Sequence, residues 1–338
     1  MTSRRDVLSL LRIHTAGFEG LIFLAGPLLT GRAFPLGDAA LLWTLGVLIN
    51  GYIFALNDLV DLPRDRLNPR RSASALVAGR VNERLALTLS LLLPLGATLM
   101  VLLASWARGP AALFVLFLAL AAPVNVYQKA PGRPLLMDGL FSVTMAGPLP
   151  VTAWAVTGFV PTVVWLATAT LLLLSLELNS VAGNLKDLAT DSDAGFTTVA
   201  TSRGARLAAD GTLRPGRPYT RYVFGLHTAV TLTTLVTVAA TAAGRPPAVQ
   251  AGVVLAAAVL VLWGVLDLAA LLAGRRRPSP TGREPWFAAG FALFLVAVAL
   301  RAPGVAFVAA IAALAAWEVV CRPGPPLRPV VRIEQARR

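Results

Sequence analysis

Apolar runs of about 20 residues, long enough for a helix to cross a bilayer, follow one another along the whole chain. Their approximate limits are 14–31, 38–57, 84–106, 110–128, 137–157, 160–181, 221–243, 247–273, 286–301 and 303–320. The last two are short and divided by Arg301-Ala302-Pro303-Gly304, so the count is nine or ten. Gly and Pro recur inside several runs, as membrane helices tolerate better than soluble ones. The balance agrees: 56% of residues are hydrophobic and 14% charged, against about 25% charged in soluble domains, and mean hydropathy is +0.70. The expected fold is all-α, a polytopic membrane helical bundle. Residues 1–13 form an N-terminal segment, 14–321 one transmembrane domain (halves 14–157 and 160–321), and 322–338 a basic tail. Arg4, Arg5 and Arg12 before the first run resemble a signal peptide, but the succession of later spans favours a retained helix.

Lys and Arg are enriched in cytoplasmic loops, and they sort cleanly here. With ten crossings and a cytoplasmic N-terminus, one side carries 26 of the 30 basic residues, and the other only Arg32, Arg108, Arg245 and Arg301. A bacterial-type cell membrane is the expected location, with the loops that hold most polar residues facing the cytoplasm. The net charge of +13 is spread over six loops and tails, which suits anionic lipid headgroups better than nucleic acid. Cys321 is the single cysteine, so there is no internal disulfide and no cysteine metal site.

The loop ends carry the chemistry. Asn57-Asp58-Leu59-Val60-Asp61-Leu62-Pro63-Arg64-Asp65 places three carboxylates at i, i+3 and i+7, on one face of a helix. Like charges there repel and are costly near a bilayer. Clustered carboxylate oxygens call for a hard divalent cation, with Mg2+ favoured where phosphate oxygens complete its shell. The spacing recurs at the end of the sixth run, with Asn184, Asp187 and Asp191 in the places of Asp58, Asp61 and Asp65. Those six residues are the candidate metal ligands. Arginines and lysines flank both clusters, and cations beside carboxylate-held Mg2+ would bind a diphosphate and stabilise its charge as a leaving group. Inside the spans, Asn50, Glu177 and Asn179 lie one to two turns before the clusters and are candidates to line a cavity, with helix–helix hydrogen bonding as the competing role. Glu19, Asp267 and His227 are expected to be structural.

These motifs resemble those of the UbiA superfamily of intramembrane prenyltransferases. Asn57-Asp58-x-x-Asp61-x-x-x-Asp65 is similar to its first signature and Asp187-x-x-x-Asp191 to its second, with Ala194-Gly195-Phe196-Thr197-Thr198 and Arg203-Gly204 following. The sequence departs from the pattern at Leu185, at Ser74-Ala75 in the first loop, and in the short interval from Tyr127 to Lys129. The resemblance implies a bundle around a central cavity, two Mg2+ ions, and a prenyl diphosphate whose allylic bond ionises before transfer to a lipophilic, often aromatic, acceptor. It casts Asp61, Asp187, Tyr127 and Lys129 as catalytic. It casts Asn57, Arg64, Arg70, Arg71, Lys129, Arg133 and Lys186 as contacts to the diphosphate. A terpene cyclase on the same scaffold is the runner-up. A transporter is disfavoured, because the two motifs share one sense instead of being inverted.

The topology is testable by labelling. In a Cys321→Ser background, Ala208→Cys should react with an impermeant maleimide only from the cytoplasmic face, and Ala243→Cys only from the opposite face. Reaction of both from one side would break the ten-crossing arrangement.

Overall fold

The computed structural model describes residues 2–66, 71–104, 134–193, 195–280, 282 and 284–321. The expected span 110–128 and the tail 322–338 lie outside these residues. In chain order the helices are α1 (Arg4–Leu10), α2 (Ala16–Leu29), α3 (Leu36–Asp65), α4 (Glu83–Leu103), α5 (Pro134–Ala146), α6 (Pro148–Thr157) and α7 (Thr162–Glu177). A π-helical segment, Leu178–Gly183, joins α7 to α8 (Asn184–Asp193). Then come α9 (Val199–Ser202), α10 (Arg217–Ala242), α11 (Pro247–Leu272), α12 (Pro285–Arg301) and α13 (Gly304–Val320).

Among the described residues, six helical runs are long and apolar enough to cross a membrane, and three apolar helices are shorter, at Ala16–Leu29, Pro285–Arg301 and Ala306–Trp317. The all-α membrane bundle is thus the observed architecture, with one small exception. Arg206–Leu207 and Leu213–Arg214 pair as an antiparallel ribbon after α9.

Local sequence explains where helices differ from the apolar runs. The first span closes at Thr30-Gly31, where Gly31 takes φ +73°, so α2 is only 14 residues long. The second does not stop at the end of its apolar run: α3, 30 residues long in all, continues to Asp65 with Pro63 inside it. The fifth, expected as one helix over 137–157, is broken at Gly147. Pro148 there starts a new helix, since proline lacks the N–H an interior position needs. The last two runs form a helical hairpin, turned at Ala302-Pro303.

α2 lies at the centre, packed by α3, α6 and α13 and touched by α7 and α12. Small residues permit that crowding. A Cβ added at Gly46 of α3 would come within 2.6 Å of the Glu19 backbone carbonyl carbon, and one at Gly20 within 2.7 Å of the Trp43 ring. Trp317 of α13 donates from Nε1 to the carbonyl of Ile13 at 2.6 Å, tying the end of the chain to its beginning. In the other half α7 is the pivot, against α5, α10 and α12. The main core runs from α2 to α13 through Ile22, Leu28, Leu149, Leu174, Trp286 and Phe294. On the outside, α4 and α11 turn Leu91, Leu95, Leu102, Leu255 and Leu262 away from the protein, as lipid-facing helices should.

Ahead of the bundle, α1 is capped by the Ser3 side chain accepting from the Asp6 N–H. Arg80, in the loop after α3, bonds Asp6 at 2.7 Å and the Ala73 carbonyl at 2.9 Å. The Ser3 hydroxyl, and then Arg80, hold the Asp6 carboxyl below the usual carboxylate range. This contact therefore stabilises above the ordinary aspartate pKa and is lost as pH falls through the lowered one.

The α2–α3 contact gives a direct test. Gly46→Ala must push two backbones apart, and overpacking of this kind costs about 1–3 kcal/mol. Thermal unfolding in detergent should show a lower transition for Gly46→Ala, while Gly96→Ala, where an added Cβ meets nothing within 4 Å, should leave it in place.

Candidate functional site

Helix α3 carries the first acidic cluster to its last residue. Arg71, just after it, reaches back with Nε 3.4 Å from Asp65 Oδ2 and Nη2 4.0 Å from Asp58 Oδ1. One side chain spanning both carboxylates shows that Asp58 and Asp65 share a face, as i and i+7 positions should. Arg12, in the turn between α1 and α2, donates to Asp58 Oδ1 at 2.9 Å and lies over the Phe54 ring at 4.2 Å. Asn57 donates to Asp61 Oδ2 at 3.3 Å across one helical turn. Asp61 and Asp65 are buried and Asp58 is nearly so. Three segments distant in sequence thus converge on one row of carboxylates.

The second cluster is wired differently. The π-helical segment widens the helix by one residue per turn at the step before it, which rotates everything that follows. π-Bulges are frequent at functional sites, and here polar side chains collect the displaced backbone groups. Ser180 Oγ donates to the Leu176 carbonyl at 2.6 Å and also lies 2.6 Å from the Tyr222 hydroxyl. Arg203 stacks over the Tyr222 ring at 4.6 Å. Asn184 donates from Nδ2 to the Asn179 carbonyl at 2.8 Å and accepts from the Ala200 N–H at 3.2 Å. Its carboxamide thereby pins α9 to the start of α8. Lys186 Nζ lies 3.3 Å from Asp187 Oδ2, and Asp191 is buried.

A cavity of about 700 Å³ joins the halves. Polar residues in its lining include Ser9, Arg12, His14, Thr15, Asn50, Asp58, Arg71 and Ser74, and Phe18, Phe141, Met145 and Phe287 add apolar surface. Asn179 and Ser175 enter from the second half. Asn50 does double duty, since its Nδ2 also donates to the Leu11 carbonyl at 3.0 Å. Asp191 borders a separate open groove of about 730 Å³, with Asp193, Thr197 and Arg206. The two clusters therefore meet different openings, and among the described residues no three His, Cys, Asp or Glu groups stand close enough to hold one metal ion. The donors themselves, carboxylate and carboxamide oxygens, are the type that Mg2+ takes.

Glu177 departs from the sequence expectation. It does not line the cavity but is fully buried (0% exposed), with Oε1 2.9 Å from His227 Nδ1 on α10 and no hydrogen-bond partner for Oε2 among the described residues. The pair bolts α7 to α10 immediately before the π-helical segment. Asp267 is likewise structural, bound to Arg276, whose Nη2 also reaches Glu284 at 2.8 Å. Arg66 pairs with Glu83 at 3.0 Å. Arg70, Tyr127, Lys129 and Arg133 lie outside the described residues, as does the Arg64 side chain. Arg12, which the sequence did not mark as a candidate, lines the cavity, as does Glu19, expected to be structural. Arg12 sits beside an apolar run, where a lone arginine reads as a topology marker.

The UbiA prenyltransferase family matches residues 21–281, and the chain belongs to it. No curated protein matches the sequence. Among solved structures, a UbiA homologue from Archaeoglobus fulgidus bound to GPP and Mg2+ is similar at TM-score 0.60 and 15% identity, covering 92% of this chain and 99% of that one. An apo UbiA homologue from Aeropyrum pernix gives TM-score 0.55 at 19% identity, covering 91% and 96%. A structure described as digeranylgeranylglyceryl phosphate synthase gives 0.58 at 15% identity, covering 92% and 100%. At these identities the likeness concerns the fold.

The Glu177–His227 pair yields a stability test. Leaving a buried polar group without its hydrogen-bond partner costs about 1–3 kcal/mol, so His227→Ala should lower the unfolding transition. Glu177→Gln introduced into His227→Ala should recover part of that loss, measured as a double-mutant cycle.

Proposed function

We propose that the protein transfers an isoprenoid group from a prenyl diphosphate to a lipophilic acceptor within the membrane, from a site that opens to the cytoplasm. The observation that carries this reading is the mixed lining of the 700 Å³ cavity, where Arg12, Arg71 and Asp58 share the wall with Phe18, Phe141, Met145 and Phe287. An amphipathic ligand with an anionic head and an apolar tail fits that combination. The solved relative bound to GPP and Mg2+ and the family membership support it.

In this reading Asp58, Asp61 and Asp65, with Asn184, Asp187 and Asp191, would hold Mg2+, two ions by resemblance to the family, and bound Mg2+ would supply positive charge to the departing diphosphate. Arg71, with Arg12 beside it, now neutralises the first cluster. A diphosphate entering the cavity offers these guanidiniums a second anionic partner, and charge-assisted bonds of that kind are strong and directional. Asn57, Arg64 and Lys186 flank the clusters and contribute donors to the same group. Arg70, Tyr127, Lys129 and Arg133 join them on sequence grounds. The allylic C–O bond breaks with both electrons leaving on the diphosphate, the apolar wall shields the carbocation from water until the acceptor attacks, and the acceptor's displaced proton passes to the released diphosphate. Cyclisation of the same cation without an acceptor uses the same ionisation, and the products tell the two apart.

Purified protein given geranyl diphosphate and a lipophilic acceptor fraction extracted from membranes should release pyrophosphate only with Mg2+ present. Asp61→Ala and Asp187→Ala should each cut that release by at least about 10²-fold, the scale on which one electrostatic stabiliser contributes, while remaining folded and inserted. Near-normal turnover in either variant would overturn the two-cluster assignment. Product formed without any added acceptor would move the reading to cyclisation.

A further inference from the structure

The cavity has a floor, and the helices around it show where it lies. On α3 the lining runs from Asp58 through Phe54 to Asn50, and on α2 from Thr15 through Phe18 to Glu19. One turn beyond Asn50, away from the acidic end, Gly46 brings α3 against α2, where an added Cβ would stand 2.6 Å from the Glu19 carbonyl oxygen. Across the cavity, Ser175 of α7 and Phe287 of α12 are in the wall. Their helices touch immediately beyond, since a Cβ at Gly290 would meet the Leu174 side chain at 2.9 Å. The Phe291 ring, one turn past Phe287, lies 4.5 Å from Phe18 and fills the space between α2 and α12. Two helix crossings at glycine and one aromatic contact thus close the cavity at the end far from its carboxylates.

That floor fixes a depth. Asp58 and Asn50 are eight residues apart on one continuous helix, so a rise of 1.5 Å per residue puts about 12 Å of wall between them. An isoprene unit adds four carbon–carbon bonds to a chain and spans about 5 Å when extended. Two units therefore fit between the carboxylate row and the floor, three are crowded, and four are too long. Burying a hydrocarbon tail is favourable in proportion to the area covered, so a chain that reaches the floor binds better than one that stops halfway. A longer chain must displace packed side chains, which interiors resist.

We propose that the floor made by the α2–α3 and α7–α12 contacts measures the donor, selecting a prenyl diphosphate of two isoprene units over shorter and longer ones. The α2–α3 side of the floor cannot give way easily. Asn50 is fixed by its Nδ2 bond to the Leu11 carbonyl at 3.0 Å, and Gly46 has no side chain to swing aside. Met145, on α5 one turn past Phe141, is the adjustable member of the wall, because an unbranched thioether side chain repacks readily. This inference rests on the prenyl-transfer reading and adds to it the length of the donor.

The test uses the thiolo analogues of dimethylallyl, geranyl, farnesyl and geranylgeranyl diphosphate, whose C–S bond resists ionisation. Each is titrated by calorimetry into the detergent-solubilised full chain with and without Mg2+, and the Mg2+-dependent part of the affinity sets aside partition into detergent. The geranyl analogue should bind at least about 10-fold more tightly than either the dimethylallyl or the geranylgeranyl one. Ser175→Leu, which raises the floor, should weaken geranyl binding by at least about 10-fold and change dimethylallyl binding by less than about three-fold. Met145→Ala, which enlarges the space, should bring the farnesyl analogue level with the geranyl one or above it. Affinity that is flat along the series, or that climbs through geranylgeranyl, would overturn the length assignment while the donor reading stands. An order of preference unchanged in both variants, each with a cooperative unfolding transition, would equally remove the floor from the account. Absence of Mg2+-dependent binding by every analogue would sink the prenyl-transfer reading and this inference with it.

Discussion

Carboxylates set at the edge of hydrocarbon must be matched by nearby positive charge, and much of this structure follows from how the chain supplies it. Asp58 receives Arg12 from the turn before α2, and Arg71 from the loop after α3 bridges Asp58 and Asp65. That loop is itself moored, through Arg80, to Asp6 on α1. A single row of acids thus draws together the N-terminal helix, the first two bundle helices and the connection that follows them. These pairs are partly exposed, so each contributes modestly to stability. Their larger effect is positional, since they fix which groups surround the cavity.

The two acidic motifs read alike in sequence and behave differently in space. The first ends a continuous 30-residue helix. The second follows a π-helical step, and its leading residue, Asn184, spends its carboxamide on backbone groups of the Asn179 and Ala200 positions. An Asp there could accept but not donate, so the amide at this position has a physical reason independent of any ligand. The Glu177–His227 pair and the Ser180–Tyr222 contact brace the same step from α10, leaving the second motif held from behind while the first is held from in front.

How much of this was legible beforehand divides along a physical line. Span positions follow from the length of apolar runs, a nearly one-dimensional property, and nine of the ten expected spans have described helices at their places. Helix interruptions were less visible. The break at Gly147 was signalled by Pro148, yet proline is tolerated inside α3 at Pro63 and inside α4 at Pro94, so the residue alone does not decide. The π-helical step is braced by partners 42 and 50 residues away on α10, and no local pattern announces it. Facing is the hardest to read. In a helix apolar on every side, nothing distinguishes an inward position from an outward one, which is why Glu177 was left between lining the cavity and bonding to a neighbouring helix, the second of which it does, and why Glu19 was expected to be structural although it lines the cavity. Asn50 and Asn179 do stand in the cavity wall.

The outward leucines of α4 and α11 carry a consequence for any measurement on this protein. A water-soluble domain keeps its apolar mass inside, so the medium touches mostly polar atoms. Here a substantial apolar surface is completed by lipid chains, and the bilayer acts as the missing outer layer of the fold. Melting temperatures and ligand affinities are consequently joint properties of the polypeptide and the amphiphile around it, and a detergent whose tails coat α4 and α11 poorly would loosen the frame that holds the cavity in shape.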